Sequence, residues 1–184
     1  MSTPSADVSV RVAWAEDAEA IADLQGRTWR ASYADLLPPE ALDVDPDRAA
    51  GVWRTALARP ADARTRVLVA LERNRVVGFA ITTPATDPDC DPATSAELME
   101  LTVDPDERGK GHGSRLLQAA VDTMAADRFT HAVLWAIASD DPLRQFLTEA
   151  GWGADGAHRE LDLHGDGSTR VRQVRLHTEF GGPS

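Results

Sequence analysis

The first part of the chain alternates between strand-like and helix-like hydrophobic patterns. Residues 8–13 place valine at every second position, which predicts a half-buried strand. Residues 16–33 follow with apolar side chains at helical spacing. A second helix is predicted over 45–58, because Asp45 is a favourable N-cap and Pro46 then occupies the first helical position.

The middle of the chain predicts a hairpin and then a loop. Residues 66–84 contain two apolar runs separated by the polar turn 72–75, as in an antiparallel hairpin. The stretch 84–95 is acidic and rich in proline, which predicts an exposed loop. Cys90 lies in this loop without a neighbouring base, so we do not expect it to act as a nucleophile.

The second half of the chain predicts a parallel crossover. Residues 97–103 and 131–139 have the composition of central strands, and the segment between them carries apolar residues at helical spacing. Such a strand, helix and strand form a right-handed parallel unit. A short helix is expected from about Pro142 to Gly151, and a final hairpin over 159–177.

Composition narrows the range of partners and compartments. The formal net charge of −11 would repel a phosphate backbone or an anionic membrane, so we expect neither nucleic acid nor a membrane as partner. No stretch approaches the roughly 20 apolar residues of a membrane span, and the first residues lack a leader pattern. The single cysteine excludes an internal disulfide, which favours a cytoplasmic protein. The acidity either reflects solubility alone, as charged surface usually does, or favours a cationic small molecule or a basic peptide as partner.

A glycine-rich segment at 108–113, Arg-Gly-Lys-Gly-His-Gly, joins a predicted strand to a predicted helix. Glycine at every second position lets the backbone approach a ligand closely, and the helix N-terminus adds unpaired N–H groups and a positive dipole end. Arg108 and Lys110 can add charge-assisted contacts to an anion. The spacing excludes a Walker loop and matches a dinucleotide fingerprint poorly. A phosphate-bearing ligand of another kind is therefore expected.

These residues resemble the GNAT superfamily of acyl-CoA-dependent N-acyltransferases. The family's pyrophosphate signature, Gln/Arg-x-x-Gly-x-Gly/Ala, is matched by Arg108, Gly111 and Gly113, and the similarity extends over about 8–178. The resemblance implies one domain over 1–184. It also implies a mixed, mostly antiparallel twisted sheet of about seven strands, with a parallel strand-helix-strand core and flanking helices.

The resemblance implies acetyl-CoA as the acyl-donor cosubstrate, with no metal. In the family the strand before the loop bulges and separates from the next parallel strand, and the pantetheine arm lies in the gap. Leu101, Thr102 and Val103 would contact that arm, and Asp140 stands where an asparagine often touches it. The residues expected to hold the pyrophosphate are Arg108, Gly109, Lys110, Gly111, His112, Gly113 and Ser114.

The chemistry implied by the resemblance is direct attack of an amine on the thioester. Glu97 aligns with a glutamate that serves some members as general base, and Glu100 is its rival. Regular strand alternation would place these two side chains on opposite faces, so that only one could face the acceptor. The backbone N–H of Leu101 or Thr102 is expected to polarise the thioester carbonyl.

The proton donor for the leaving thiolate is the main departure from the family. The tyrosine that commonly fills this role falls at Leu147, which has no proton to donate, and neither has Phe146. Tyr33, the only tyrosine, is a candidate for a displaced acid, although a packing or surface role is at least as compatible with the sequence. Together with Trp29 and Trp53 it is expected near the acceptor.

Several alternatives stay open at the level of sequence. Loss of the usual acid is compatible with an acyl-CoA-binding sensor of little turnover, and the acceptor can be a small amine or a peptide. The C-terminal hairpin offers a strand edge through which a homodimer could form. No histidine pairs with a carboxylate at metal-ligand spacing, so all five are read as structural or solvated.

Overall fold

A computed structural model describes residues 8–181, which form one seven-stranded sheet in the order β1-β2-β3-β4-β5-β7-β6. The strands are β1 Val8–Val12, β2 Arg66–Glu72, β3 Arg75–Pro84, β4 Ser95–Val103, β5 His131–Ile137, β6 Gly153–Asp162 and β7 Arg170–Glu179. The helices are α1 Ala18–Tyr33, α2 Pro39–Leu42, α3 Pro46–Ala58, α4 His112–Ala126 and α5 Asp141–Glu149. Only β4 and β5 pair in parallel, which confirms the predicted fold class.

Helices cover both faces of the sheet. On one face α4 and α5 pack on the central strands, where Leu98, Leu116 and Leu147 are fully buried. On the other face α1 and α3 pack on β2 and β3 around Ile21 and Phe79. Each helix contributes one apolar stripe, and the strands between the two layers are buried on both sides, which explains their nearly continuous apolar sequences.

Most element boundaries follow the sequence pattern. Arg73 and Asn74 both have positive φ and form the tight β2-β3 turn that the polar segment predicted. Asp45 caps α3 by accepting from the backbone N–H of Arg48 at 2.9 Å. Two features were not predicted: the single turn of α2, and the start of β6 at Gly153, six residues before the predicted hairpin. The segment before 159 escaped notice because glycine, alanine and aspartate give it little strand propensity.

A β-bulge in β4 overturns the predicted alternation of the two glutamates. Ile81 pairs with Glu100 while Thr82 pairs with Leu98, so Met99 has no partner on β3. The extra residue reverses the alternation beyond this point. Leu98 and Leu101 therefore both pack on the α4 side, and Glu97 and Glu100 share the opposite face, towards α1. The expectation that only one glutamate could face the acceptor side was wrong.

The parallel strands β4 and β5 pair only at their beginnings. Hydrogen-bonded register extends from Ser95 opposite His131 to Glu97 opposite Val133, and no pairing follows within the described residues. The two strands diverge directly before the bulge at Met99. A gap therefore opens in the middle of the sheet, on the side where β4 leads into the glycine-rich segment.

No helix in the described part of the chain is long and apolar enough to cross a membrane. The longest, α1, has 16 residues and carries charged side chains along its exposed face.

Gly78 is the position on β3 where the sheet leaves no room for a side chain. A Cβ there would lie 2.8 Å from the backbone oxygen of Thr102 on β4. We expect Gly78→Ala to lower the free energy of unfolding by about 1–3 kcal/mol, as overpacking does. Gly51→Ala is the matched control, because a Cβ at this α3 position meets nothing within 4 Å. It should be neutral or stabilise by up to about 1 kcal/mol. Urea unfolding of both variants measures the difference, and equal stabilities would contradict the close approach.

Candidate active site

The gap between β4 and β5 is part of a cleft of about 700 Å³. Its walls come from the C-terminal half of α1, the end of β4, the loop before α4, and the segment that leads from β5 into α5. The cleft thus joins the glycine-rich segment to the point where the sheet opens. Ten of the eleven residues predicted to contact the cofactor line it: Leu101, Thr102, Val103, Arg108, Gly109, Gly111, His112, Gly113, Ser114 and Asp140.

The glycines of the loop have distinct structural roles. Gly109 and Gly111 have φ of +77° and +84°, values that residues with a Cβ rarely adopt. Gly113 lies in the first turn of α4, where a Cβ would lie 3.5 Å from the ring of Phe146. His112 begins α4, and its ring is buried rather than turned into the cleft. The unpaired N–H groups of this helix start face the cleft, as an anion site requires.

Lys110 is the one predicted cofactor contact that does not line the cleft. Its ammonium pairs with Glu107, which also pairs with Arg75 on β3. Hydrogen bonds from Lys110 and Arg75 lower the pKa of Glu107 to about 2. Arg108 does line the cleft, so the loop's free positive charge at the cleft comes from Arg108.

Beside the gap, successive residues of β4 direct their backbone N–H and C=O groups alternately towards β3 and towards the gap. The N–H of Asp104 donates to the carbonyl of Val77 on β3 at 2.8 Å, and the carbonyl of Thr102 also points at β3. Because successive residues of a strand direct their backbone groups to opposite sides, the N–H and C=O of Leu101 and Val103 point into the gap. Of the two residues predicted to polarise a carbonyl through main chain, only Leu101 has its N–H on the correct side.

Glu100 is held against α1 by neutral donors. Gln25 donates to it at 3.0 Å and Thr102 at 3.1 Å, and Gln25 is itself held by the indole of Trp53. Burial raises the pKa of Glu100, while hydrogen bonds from Thr102, Gln25 and Trp29 oppose the rise. The sequence analysis missed Gln25, although a polar side chain on the buried stripe of an amphipathic helix is a usable signal.

Glu97 lies at the last paired position before β4 and β5 separate. Burial raises its pKa, the charge of Asp87 adds to the rise, and Arg159 opposes it. No hydrogen bond to its carboxylate is formed by the described residues 8–181. Glu97 is thus a half-buried carboxylate with free lone pairs and an increased affinity for a proton.

Tyr33 lines the cleft near the end of α1. Burial raises its pKa, the negative charges of Asp140 and Glu100 add to the rise, and Arg108 opposes it. Its phenol is therefore protonated at neutral pH. Trp29 lies nearby, with its ring 6.4 Å from that of Tyr33. Trp53 does not wall the cleft, because it is buried against Phe79 in the core between α3 and the sheet.

The start of α5 closes one end of the cleft. Asp140 caps this helix by accepting from the backbone N–H of Leu143 at 3.1 Å. Phe146 lines the cleft, whereas Leu147 is fully buried in the core. The side chain that α5 presents to the cleft therefore has no proton to donate.

Asp104 is a functional residue that the sequence analysis missed. Its carboxylate is almost completely buried, accepts from Arg27 on α1 at 3.0 Å, and caps the turn that leads into the glycine loop. The Asp-Pro dipeptide after a strand signals such a turn, but only the tertiary structure brings Arg27 to it. Asp104 thus fixes α1 and the loop to the same end of β4.

A comparison with protein-family models identifies the family of this chain. The model of the acetyltransferase (GNAT) family matches residues 19–152, which include both glutamates, the gap and the glycine loop. The chain belongs to this family. No curated protein sequence matches the chain.

Solved structures of GNAT acetyltransferases share the whole fold at low sequence identity. Ribosomal-protein-alanine N-acetyltransferase from Brucella melitensis is 19% identical, with a TM-score of 0.72 over 94% of this chain and 99% of its own. YncA, a putative acetyltransferase of Salmonella typhimurium bound to acetyl-CoA, is 17% identical, with a TM-score of 0.71 over 97% and 96%. The PaiA N-acetyltransferase of Thermoplasma acidophilum, bound to coenzyme A, is 17% identical, with a TM-score of 0.70 over 94% and 99%.

Arg27 pairs with two carboxylates, Asp104 and Asp23, and we expect their removal to have different effects on the free energy of unfolding. Asp104→Ala removes a buried charged acceptor and should lower the free energy of unfolding by about 2 kcal/mol. Asp23→Ala removes the exposed partner of the same arginine and should cost less than about 0.5 kcal/mol. Chemical unfolding of both variants gives the comparison. Equal losses would mean that Asp104 does not anchor this end of the sheet.

Proposed function

We propose that this GNAT family member is an N-acetyltransferase that moves the acetyl group of acetyl-CoA to a primary amine within a ternary complex. The observation that carries the proposal is the cleft itself. It joins a helix-start anion site to a gap between parallel strands, and Glu97, whose pKa is raised, does not line the cleft but lies on β4 where that gap begins. The family match and the cofactor-bound structures of similar fold support it.

Acetyl-CoA is the acyl donor in this proposal. Its pyrophosphate binds the N–H groups of the loop and the first turn of α4, with Arg108 as the charged contact. Its pantetheine arm extends the sheet by bonding to the inward-facing backbone groups of Leu101 and Val103. The same N–H of Leu101 is available to stabilise the oxyanion, a contact of this type being worth about 3 kcal/mol.

The reaction is a direct attack. The amine nitrogen loses a proton to a general base and attacks the thioester carbonyl carbon. A C–N bond forms, the C–S bond breaks, and coenzyme A leaves as a thiolate. We assign the base role to Glu97, because its carboxylate is half buried, free of hydrogen bonds from described residues and placed where the strands separate. Glu100 is the alternative, but two neutral donors, Gln25 and Thr102, already engage it.

The candidate proton donor for the leaving thiolate is Tyr33, the only tyrosine in the sequence, which lines the cleft in its protonated form. Water is the other source, since an ordinary thiol has a pKa of about 8.5 and its thiolate is readily protonated near neutral pH. On α5, neither Phe146 nor Leu147 has a proton to donate to the thiolate.

The acceptor in this proposal carries a cationic amine. Glu97 and Glu100 place negative charge on the face towards α1, and a protonated amine is attracted there before it gives up its proton. Trp29, partly exposed beside Tyr33, offers an aromatic surface for it. The named functions of two structures of similar fold, ribosomal-protein-alanine N-acetyltransferases of Brucella melitensis and Escherichia coli, make a peptide N-terminus a second acceptor class.

A second candidate function is an acyl-CoA sensor with little turnover. One observation favours it: the α5 residues that line the cleft, Pro142, Leu143 and Phe146, have no proton to donate. A sensor would bind acetyl-CoA without releasing thiol when amines are added.

Acetyl-CoA binding can be tested with two glycines of matched backbone strain. Gly109 and Gly165 both have positive φ with no atom within 4 Å of a Cβ, but only Gly109 lines the cleft. Valine at either position should cost about 1–2 kcal/mol of stability. Gly109→Val should also weaken acetyl-CoA binding at least tenfold in calorimetry, whereas Gly165→Val should bind as the native protein does.

Binding by the folded native protein is then followed by a screen of primary amines and peptides for thiol release. Release that depends on the amine supports the acetyltransferase, and binding without release supports the sensor. A folded native protein that does not bind acetyl-CoA would refute both.

The base assignment predicts a pH effect with a definite sign. Because burial raises the pKa of Glu97, kcat/KM should fall with decreasing pH from a point above the ordinary carboxyl range, as the base becomes protonated. Glu97→Gln should lower kcat by about 10²-fold and abolish this acid limb. Glu100→Gln is the matched control and should keep the limb. If the limb disappears in Glu100→Gln instead, Glu100 is the base.

A further inference from the structure

His112, Glu72 and Glu107 form a cluster that the acyl-transfer chemistry does not use. His112 begins α4, Glu72 ends β2, and Glu107 lies in the turn after β4. One donor atom from each lies within 4.8 Å of the other two. The three residues are distant in sequence or separated by the glycine loop, which explains why no metal-ligand spacing was visible in the chain.

The imidazole of His112 is the decisive member of the cluster. Its side chain is only 1% exposed, and neither ring nitrogen has a hydrogen-bond partner among the described residues. Its Nε2 lies 3.3 Å from Oε2 of Glu72, and that oxygen also lacks a hydrogen-bond partner. Two buried polar atoms that face each other without hydrogen-bond alignment are costly unless a third group satisfies them.

We propose that His112, Glu72 and Glu107 form a site for a divalent transition-metal ion of the Zn²⁺ class. Ligands bound to Zn²⁺ at about 2.0–2.2 Å are separated by roughly 3.3 Å in a tetrahedral arrangement, close to the His112–Glu72 distance. An imidazole with two carboxylates suits Zn²⁺ better than Mg²⁺ or Ca²⁺, which bind oxygen ligands. Water fills the fourth position.

Two cationic side chains compete with the ion for Glu107. Arg75 and Lys110 both pair with its carboxylate, and their side chains are more than half exposed, at 56% and 53%. They can therefore move into solvent at little cost, and a carboxylate has enough lone pairs to bind an ion and keep one of them. Lys110 is the competitor whose removal should strengthen metal binding.

The position of the site gives it a consequence for the cleft. Glu107 and His112 lie at the two ends of the segment 108–111, so one ion bound to both would fix that segment as a closed loop. It would also add positive charge beside the anion site. The ion acts as an effector of ligand affinity and takes no part in the acyl transfer.

The test is a calorimetric titration of the metal-stripped full chain with Zn²⁺, repeated with Mg²⁺. We expect one Zn²⁺ per chain and much weaker Mg²⁺ binding. Glu72→Gln is isosteric and outside the cleft, and it should weaken Zn²⁺ binding at least about tenfold. The exposed Glu160→Gln is the matched control and should bind as the native protein does. Lys110→Ala should bind Zn²⁺ more tightly.

A separate histidine pair provides the sharpest alternative. Nε2 of His131 lies 3.4 Å from Nδ1 of His177, far from the cluster in sequence. Zn²⁺ binding that disappears in His177→Gln and persists in Glu72→Gln would place the ion there and overturn the proposal. Absence of Zn²⁺ binding, or weaker binding in Lys110→Ala, would also overturn it.

A final measurement tests the effect on the cleft, and this part alone depends on the proposed function. Acetyl-CoA should bind the native protein about fivefold more tightly or better with Zn²⁺ present, and Glu72→Gln should show no such change. An unchanged affinity would refute the coupling. The Zn²⁺ titration uses no acetyl-CoA, so failure of the acetyltransferase proposal and failure of the metal site give different results.

Discussion

The separation of β4 from β5 is the constraint on which the rest of the structure depends. Parallel pairing stops after Glu97 and Val133, and the bulge at Met99 follows at once. The separation has one consequence and the bulge has another. The backbone groups of Leu101 and Val103 are left without a strand partner, so a ligand can satisfy them. The face of Glu100 is also reversed, which brings both glutamates of β4 to the side of α1.

Buried polar contacts hold α1 over this gap. Arg27 reaches the carboxylate of Asp104 at the end of β4, and Gln25 links Glu100 to the indole of Trp53 on α3. Leaving a buried acceptor without its donor is costly, whereas forming the hydrogen bond adds little net stability. These contacts therefore mainly specify one position of α1. That position determines where Tyr33 enters the cleft. The α1 side of the cleft is thus built on a helix whose placement is fixed by hydrogen bonds.

The cleft contains the glycine loop and open strand that the resemblance implied, but not the tyrosine expected on α5. The glycine loop, the helix start and the open strand are all present, and they involve mostly backbone groups. The side chain of α5 that faces the cleft is Phe146, and the phenol that lines the cleft comes from α1 instead. Backbone recognition tolerates such changes because it depends on φ, ψ and strand separation rather than on side-chain identity.

The sequence by itself determined the order of the main strands and helices, the parallel crossover, the tight turn at Arg73–Asn74 and the glycine loop before α4. These features depend on local periodicity, capping and glycine placement, which short segments encode. Only the tertiary structure decided which face each glutamate of β4 occupies, because a bulge is defined by pairing with β3. It alone gathered His112 with Glu72, since this contact joins segments that are remote along the chain and leave no pattern within either one. It also showed that Lys110 pairs with its near neighbour Glu107 instead of lining the cleft.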